Sequence, residues 1–446
     1  MRRLSLFIML CFGLLSGCGG SNSSDANTYT SSYIQFYNGS TNSAATRLTL
    51  TNSDDVTSYV GSATYADSTS LITMSTGSYG YKLTRYNSVG DEVSVYTSTI
   101  ALRQSYKHLL LMLGDYTTPD LLEVSFLRDD GLTSEFNLYV VNALDDTKNY
   151  DLYIGDAETD FSGAKLVSTL GYRQVSAKQN YTLGRYHIYV TEAGSNEVLF
   201  KSPLFNFEYT TDYVLVPRIA SGQLEGIVAI DIIGNTTTVT NLTDELAEAQ
   251  VRIYNSINSA GSANIYLNNN LAIAGLAPDT LSDFVRTNAA DYRLSATDND
   301  NRFFINNALL TLNQGNSKTA IFYTGQNGEP LTAVLTDSDL PQIYDFKINI
   351  LNTVMDFASL GIYFVRSNET ISSSQYYIST LARGANSSLT IPDNSYQILL
   401  VHTDSNGNRS LLAQTEVTKF LNGRNYTLIA EPDNGSFSGY KLSLIY

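Results

Sequence analysis

Four stretches of the chain read alike: Ile34-Gln35-Phe36-Tyr37-Asn38, Leu138-Tyr139-Val140-Val141-Asn142, Val251-Arg252-Ile253-Tyr254-Asn255 and Ile348-Asn349-Ile350-Leu351-Asn352. In each, the residues two and four before the asparagine are apolar, the period-two pattern of a strand with one face in a core. Ten residues after each asparagine an apolar residue begins a second alternating pair: Leu48 and Leu50, Leu152 and Ile154, Ile265 and Leu267, Ile362 and Phe364. Thr49, Tyr153, Tyr266 and Tyr363 stand between them. A constant offset in four copies is what two strands joined by a loop of fixed length produce.

Further blocks follow at similar distances. Tyr79, Tyr186, Tyr292 and Tyr396 open strand-like segments 37 to 44 residues after the asparagines, and each leads into a polar turn at 87–90, 193–196, 298–301 or 404–408. That is a hairpin signature. A last block pairs an apolar residue with a position six later: Ile100/Tyr106, Phe207/Tyr213, Leu312/Lys318 and Phe420/Tyr426. The tyrosines there suit the tyrosine corner of immunoglobulin-like sandwiches, and Lys318 breaks the pattern, so the third repeat lacks that tie or replaces it.

The asparagines are 104, 113 and 97 residues apart, close to the roughly 100 residues of a seven-stranded sandwich. The expected architecture is all-β, with four tandem immunoglobulin-like β-sandwich repeats at 33–130, 135–233, 248–339 and 345–446. Helical periodicity is scarce, and the segment 243–248 with Thr243 as N-cap is the one short helical turn expected. Links 129–134 and 337–345 are short, whereas the linker 234–247 is longer and rich in Thr and Asn, which predicts two rigid pairs joined by a looser hinge.

Ahead of the repeats lies an export signal. Arg2 and Arg3 precede an apolar run of 12 residues, Leu4 to Leu15, long enough for a secretory signal and too short to span a bilayer. Leu15-Ser16-Gly17-Cys18 follows and resembles the bacterial lipobox. The resemblance implies cleavage after a signal peptide 1–17 and acylation of Cys18. It also implies a flexible tether over 18–32, and a body held at the outer membrane because Gly rather than Asp follows Cys18. Several acyl chains hold a protein firmly, since one alone is marginal. Cys11 leaves with the signal, so Cys18 becomes the only cysteine, and intrachain disulfides, Cys-ligated zinc and Fe–S clusters are excluded from the processed chain.

Composition narrows the function classes. The 446 residues carry 27 basic and 43 acidic side chains, a net charge of −16 that becomes −18 without Arg2 and Arg3. That balance argues against nucleic acid as a partner. The expected partners are the lipid bilayer through acylated Cys18, and another envelope protein or a glycan.

The Asn-ended strand, the segment Asp151-Leu152-Tyr153-Ile154 and the block Gly184-Arg185-Tyr186 are similar to the bacterial domain of unknown function 4397 family. Asn264-Ile265-Tyr266-Leu267 matches it equally well, while Thr49 and Gly361 depart from its pattern, and its Pro-containing segment after the Asn is missing from all four copies. The resemblance implies an exported β-sandwich and supplies no catalytic residues.

No cofactor and no catalytic residue is expected from the motifs. His108, His187 and His402 fall in different repeats on expected strands, where exposed or half-buried structural histidines are the simplest reading. Nucleophile-elbow, zinc-protease and phosphate-loop patterns do not occur. Asp298 with Asp300, and Asp404, sit in hairpin turns, and Asp337 with Asp339 sits at the third junction. Their oxygens suit Ca²⁺, and Asp and Asn are equally favoured there as turn residues. The tyrosines admit sugar stacking or strand architecture. The composite expectation is a non-enzymatic, membrane-anchored scaffold for binding, adhesion or spacing. The alternative is a polysaccharide-binding or enzyme-accessory module using surface Tyr, and a hydrolase would need a carboxylate pair brought together across loops.

Overall fold

The alternating segments form strands where expected, and the same eight-strand plan occurs four times. The computed structural model describes residues 30–129, 131–220, 222, 224, 226–235 and 238–446. The signal peptide, Cys18 and the tether as far as residue 29 lie outside the described residues.

The first strands are Ser31–Asn38, Glu135–Val140, Ala249–Asn255 and Asp345–Asn352. Counting broken strands as one, the fourth, first, seventh and eighth strands form one sheet of every repeat, and the third, second, fifth and sixth form the other. The first and seventh strands run parallel, as in Asn38 opposite Met112 and Asn352 opposite Ala430, and all other neighbours are antiparallel. Leu48, Leu50, Ile362 and Phe364 of the second strands point inward with Phe36 and Ile350 of the first strands, forming a separate core in each sandwich. The repeats are four β-sandwiches, and the chain is all-β. Among the described residues the only helical turns are 3₁₀, at Phe161–Gly163 and Asn258–Ala260. The segment expected to turn helically at Thr243 instead ends a strand, Thr240–Thr243, which adds to the outer edge of the second repeat.

The recurring asparagine ties one sheet to the other. Asn142 Nδ2 donates to Leu170 O (3.0 Å) and Oδ1 accepts Leu144 N–H (2.9 Å). Asn352 does the same with Leu381 O (3.0 Å) and Val354 N–H (3.1 Å). Asn38 and Asn255 reach Ala63 O and Leu276 O, again at the end of a third strand. All four asparagines are buried. Buried backbone groups left unpaired cost far more than a satisfied bond gains. Asn352→Ala is therefore expected to destabilise the fourth repeat by about 2 kcal/mol, read as a lowered midpoint in guanidinium unfolding.

The tyrosine of the fifth strand makes a second repeated tie. Tyr79, Tyr186, Tyr292 and Tyr396 donate their hydroxyls to the carbonyls four residues upstream, Ser75, Thr182, Asn288 and Pro392, at 3.0, 2.9, 2.8 and 3.0 Å. The corner expected later in each repeat is less uniform. Tyr426 Oη accepts Leu421 N–H at 2.7 Å. In the first repeat a histidine replaces the tyrosine: His108 Nε2 accepts Arg103 N–H at 3.0 Å. In the third, Lys318 Nζ donates to Thr311 O at 2.6 Å.

The sandwiches pack in pairs. Seventh strands such as Tyr106–Leu113 and Asp212–Ile219 are buried along nearly their whole length. One face lies in their own core; the other meets the neighbouring repeat. Tyr37, Leu109, Leu111, Val214, Val216 and Ile233 form the apolar contact between the first and second repeats. Tyr254, Ile321, Leu351 and Ile429 form that between the third and fourth. The two pairs also touch. Tyr344 meets Tyr116 edge-on at 5.3 Å, Arg85 stacks over Tyr344 at 4.3 Å, and Arg366 Nη1 donates to Ser88 O at 3.1 Å. The segment read as a loose hinge is partly pinned, since Lys201 N–H bonds Asp244 Oδ1 (3.1 Å) and Glu245 N–H bonds Lys201 O (2.8 Å).

Candidate functional site

Both pair interfaces carry a buried carboxylate that takes the phenol of the residue just before the repeat asparagine. Tyr37 of the first repeat donates to Asp231 Oδ2 of the second at 2.6 Å. Tyr254 of the third donates to Glu431 Oε1 of the fourth at 3.0 Å. Burial, reinforced by the neighbouring carboxylate, pushes both phenols up from their ordinary pKa. Arg218 completes the first network, with Nε and Nη2 on the two Asp231 oxygens at 2.7 and 2.9 Å, while Asn241 Nδ2 donates to Oδ1 at 2.8 Å. Ser256 and Ser443 bond Glu431 in the second network, and Lys441 Nζ stands 3.5 Å from it.

Another buried ion lies in the first interface. Lys107, fully buried on the seventh strand of the first repeat, donates its ammonium to Gly234 O at 2.9 Å. Burial lowers its pKa to about 7, against the opposing pull of Asp212.

The link between the third and fourth repeats runs through the point where all four meet. Three adjoining clefts of about 370, 440 and 170 Å³ share Leu340. The first is of the size that holds small ligands (roughly 300–1,000 Å³). It gathers Arg218, Asn241, Gln314 and Asn316 with Asp67 and Asp339. Arg218 Nη1 there reaches Ile219 O and Tyr65 Oη, at 3.3 and 3.5 Å. Such a mixture of amides, carboxylates and a guanidinium suits a small polar molecule.

The sequence-predicted acidic residues serve local structure. Asp298 Oδ1 accepts Asp300 N–H and Arg302 N–H, both at 2.9 Å, and Asp404 Oδ1 accepts Asn406 N–H and Asn408 N–H, both at 2.8 Å. Asn87 holds the matching turn of the first repeat in the same way. Asp300 is exposed, 3.4 Å from Arg302. Asp337 is buried and accepts the hydroxyls of Ser317 (2.9 Å) and Thr319 (3.0 Å), and burial raises its pKa although Arg252 pulls the other way. Burial also raises the Asp339 pKa, and Asp337 adds to that rise. No three His, Cys, Asp or Glu side chains come together among the described residues. Cys18 lies outside the described residues.

The histidines remain apart. His187 Nδ1 meets Ser202 O at 2.8 Å and the His402 ring stacks on Phe357 at 4.2 Å. His108, expected at or near the surface, is fully buried. Its Nε2 is an acceptor, so Nδ1 carries the proton and donates to Glu123 Oε1 at 2.8 Å.

With one sheet of each repeat buried in a pair, the sheet of second, third, fifth and sixth strands faces outward. The second-strand tyrosines lie on it, each with an aromatic neighbour: Tyr153 with Phe161 (5.1 Å), Tyr266 with Phe303 (6.4 Å) and Tyr363 with Tyr377 (5.5 Å). In the first repeat Arg47 lies between the exposed rings of Tyr59 and Tyr86, at 4.9 and 5.1 Å.

Residues 249–363, which span the third sandwich and the first two strands of the fourth, match the model of a domain of unknown function, DUF4397. Over that segment the chain is similar to that family. The first, second and fourth repeats share the topology and the asparagine and tyrosine ties of the DUF4397 segment. No curated protein matches the chain. Among solved structures, a candidate cell adhesion protein from Bacteroides fragilis is 9% identical with a TM-score of 0.14, covering 46% of this chain and 97% of its own. A candidate adhesin from Bacteroides ovatus is 11% identical with a TM-score of 0.15, covering 47% and 94%. The TIE protein of Bacillus anthracis is 9% identical with a TM-score of 0.15, covering 88% and 67%. Overlap this slight bears on neither fold nor function.

Proposed function

We propose that this protein is a non-catalytic scaffold of the cell envelope, lipid-anchored at Cys18, whose outward sheets serve binding, adhesion or spacing. The observation that carries this reading is the use made of the recurring side chains. The four asparagines and four fifth-strand tyrosines are all engaged with backbone, and the pairing leaves four outer sheets of the same strand order. Repeated faces on one body act together, so weak contacts combine by effective concentration. Cys18→Ser is expected to shift the protein from the membrane to the soluble fraction. Retention of the variant with the membrane would overturn the anchor.

A second reading, polysaccharide binding or enzyme accessory, draws on Tyr59 and Tyr86, which are each 55% exposed around Arg47. A glycan array probed with the intact chain and with a Tyr59→Ala/Tyr86→Ala variant separates the two. Signal lost in the variant supports the glycan reading, and an array blank for both supports the scaffold.

A further inference from the structure

The third repeat leaves its outer sheet open where the second and fourth cover theirs. In the second repeat the loop between the second and third strands packs Phe161 on Tyr153 and Tyr189 of that sheet, with ring centres 5.1 and 5.4 Å away. In the fourth, the equivalent loop lays Ile371 against Tyr363, Val365, Leu399 and Val401. The third repeat instead turns in two residues, Asn268 and Asn269, between Ala263–Leu267 and Asn270–Leu276. The neighbour of its second-strand tyrosine is also smaller. Tyr153 pairs with Tyr189 and Tyr363 with Leu399, whereas Tyr266 pairs with Ser295.

A cleft of about 510 Å³ results, lined by Asn268, Asn269, Asp291, Arg293, Asn307 and Leu309. Its size falls in the range that holds small ligands, roughly 300–1,000 Å³. Asn269 and Asn307 have φ of +68° and +55°, a region that Asn enters more readily than other side chains. The sixth strand, Phe303–Leu312, slips register against Ala290–Thr297, and Asn306 and Asn307 are both exposed. Bulges re-aim side chains in this way. Among the described residues, the side chains of Asn269, Arg293 and Asn307 make no hydrogen bond or ion pair. Leu309 stands 72% exposed beside them. Phe303, also exposed, lies six residues along the same strand, roughly 20 Å away, next to Tyr266.

The face carries no net charge, although the chain is strongly acidic. Its strands 263–267, 270–276 and 303–312 contain no charged residue, and Asp291 and Arg293 of the remaining strand cancel. Of the six lining side chains Leu309 alone is apolar, unlike the apolar centre of a protein interface. Donors and acceptors set around a small apolar surface match a sugar ring, with hydroxyls at its edge and C–H groups on its face.

We propose that this cleft binds a neutral oligosaccharide. The hydroxyls bond the Asn269 and Asn307 amides, the Arg293 guanidinium and the Asp291 carboxylate, while sugar faces rest on Leu309 and, further along the sheet, on Tyr266 and Phe303. The proposal rests on the polysaccharide-binding reading and places its ligand on the third repeat.

The test applies the intact chain to an array of neutral hexasaccharides: cellohexaose, xylohexaose, mannohexaose and chitohexaose. Binding to at least one is expected, weakened by about tenfold or more in Asn269→Gly/Asn307→Gly and unchanged in Tyr59→Ala/Tyr86→Ala. Glycine adopts positive φ freely, so the double variant deletes both amides and keeps the backbone. Binding that persists at full strength in the asparagine variant overturns the proposal and leaves the polysaccharide-binding reading in place. A parent chain that binds none of the four overturns both.

Discussion

Asp231→Ala is expected to cost the chain about 3–5 kcal/mol and to part the first two sandwiches, because it leaves the Arg218 guanidinium buried without its counter-ion. Asp231 is fully buried and Arg218 only 6% exposed, so water does little to screen either charge. Each Asp231 oxygen accepts two bonds, from Arg218 Nε and Tyr37 Oη on one side and from Arg218 Nη2 and Asn241 Nδ2 on the other. Tyr37→Phe removes one of these and is expected to cost about 1.5–3 kcal/mol, the range for a bond to a charged partner. Replacing the ions together, Arg218→Met with Asp231→Leu, is expected to be close to neutral, since it also removes the desolvation burden of both. Guanidinium unfolding of the three variants checks the ordering. A double variant as unstable as Asp231→Ala would show that the pair itself, and not the abandoned arginine, accounts for the loss.

The second large effect is a dependence on pH that Lys107 imposes on the same interface. Its pKa is lowered to about 7 in the folded chain against about 10.4 in an unfolded one. Between those values the unfolded state binds a proton that the folded state does not. Stability therefore rises with pH through the window and is lowest at and below about pH 7. The slope reaches at most about 1.4 kcal/mol per pH unit. The groups facing the ammonium are the Gly234 carbonyl, Asp212 and Arg128. The window closes near pH 10 from the other side. Tyrosines ionise there in the unfolded chain, whereas burial holds Tyr116 and Tyr139 up at about 12 in the folded one. Unfolding midpoints at pH 7, 8 and 9 are expected to climb in the parent protein and to stay nearly level in Lys107→Met. Parallel curves for the two would remove Lys107 as the cause.

Strand positions and the all-β fold were legible along the chain because alternation is a local property. A strand whose side chains alternate between core and outside shows that period wherever its partners lie. The four asparagines were legible as markers and not as ties, since their acceptors Ala63, Leu170, Leu276 and Leu381 are more than twenty residues away. Sequence alone points to a tyrosine corner at Tyr106, Tyr213 and Tyr426, of which Tyr426 makes the bond to backbone, while the version present in all four repeats is carried by Tyr79, Tyr186, Tyr292 and Tyr396. A sign of the pairing was present as well. Tyr37 and Tyr254 precede the asparagine in the first and third repeats, and Val141 and Leu351 in the second and fourth. That alternation marks which repeat of each pair supplies the phenol.

What the sequence determines by itself is the period-two pattern and the four modules, because each depends on neighbours a few residues apart. Only the tertiary structure decided that the modules pack in pairs, that Tyr37 meets Asp231 across 194 positions and that Lys107 is buried. The physical reason lies in the seventh strands. A run such as Leu109 to Leu113 is apolar on both faces, and nothing within the run says whether its second face meets water, membrane or another sandwich. The answer comes from the complementary face of a separate module, and so does the partner of every charge buried between them.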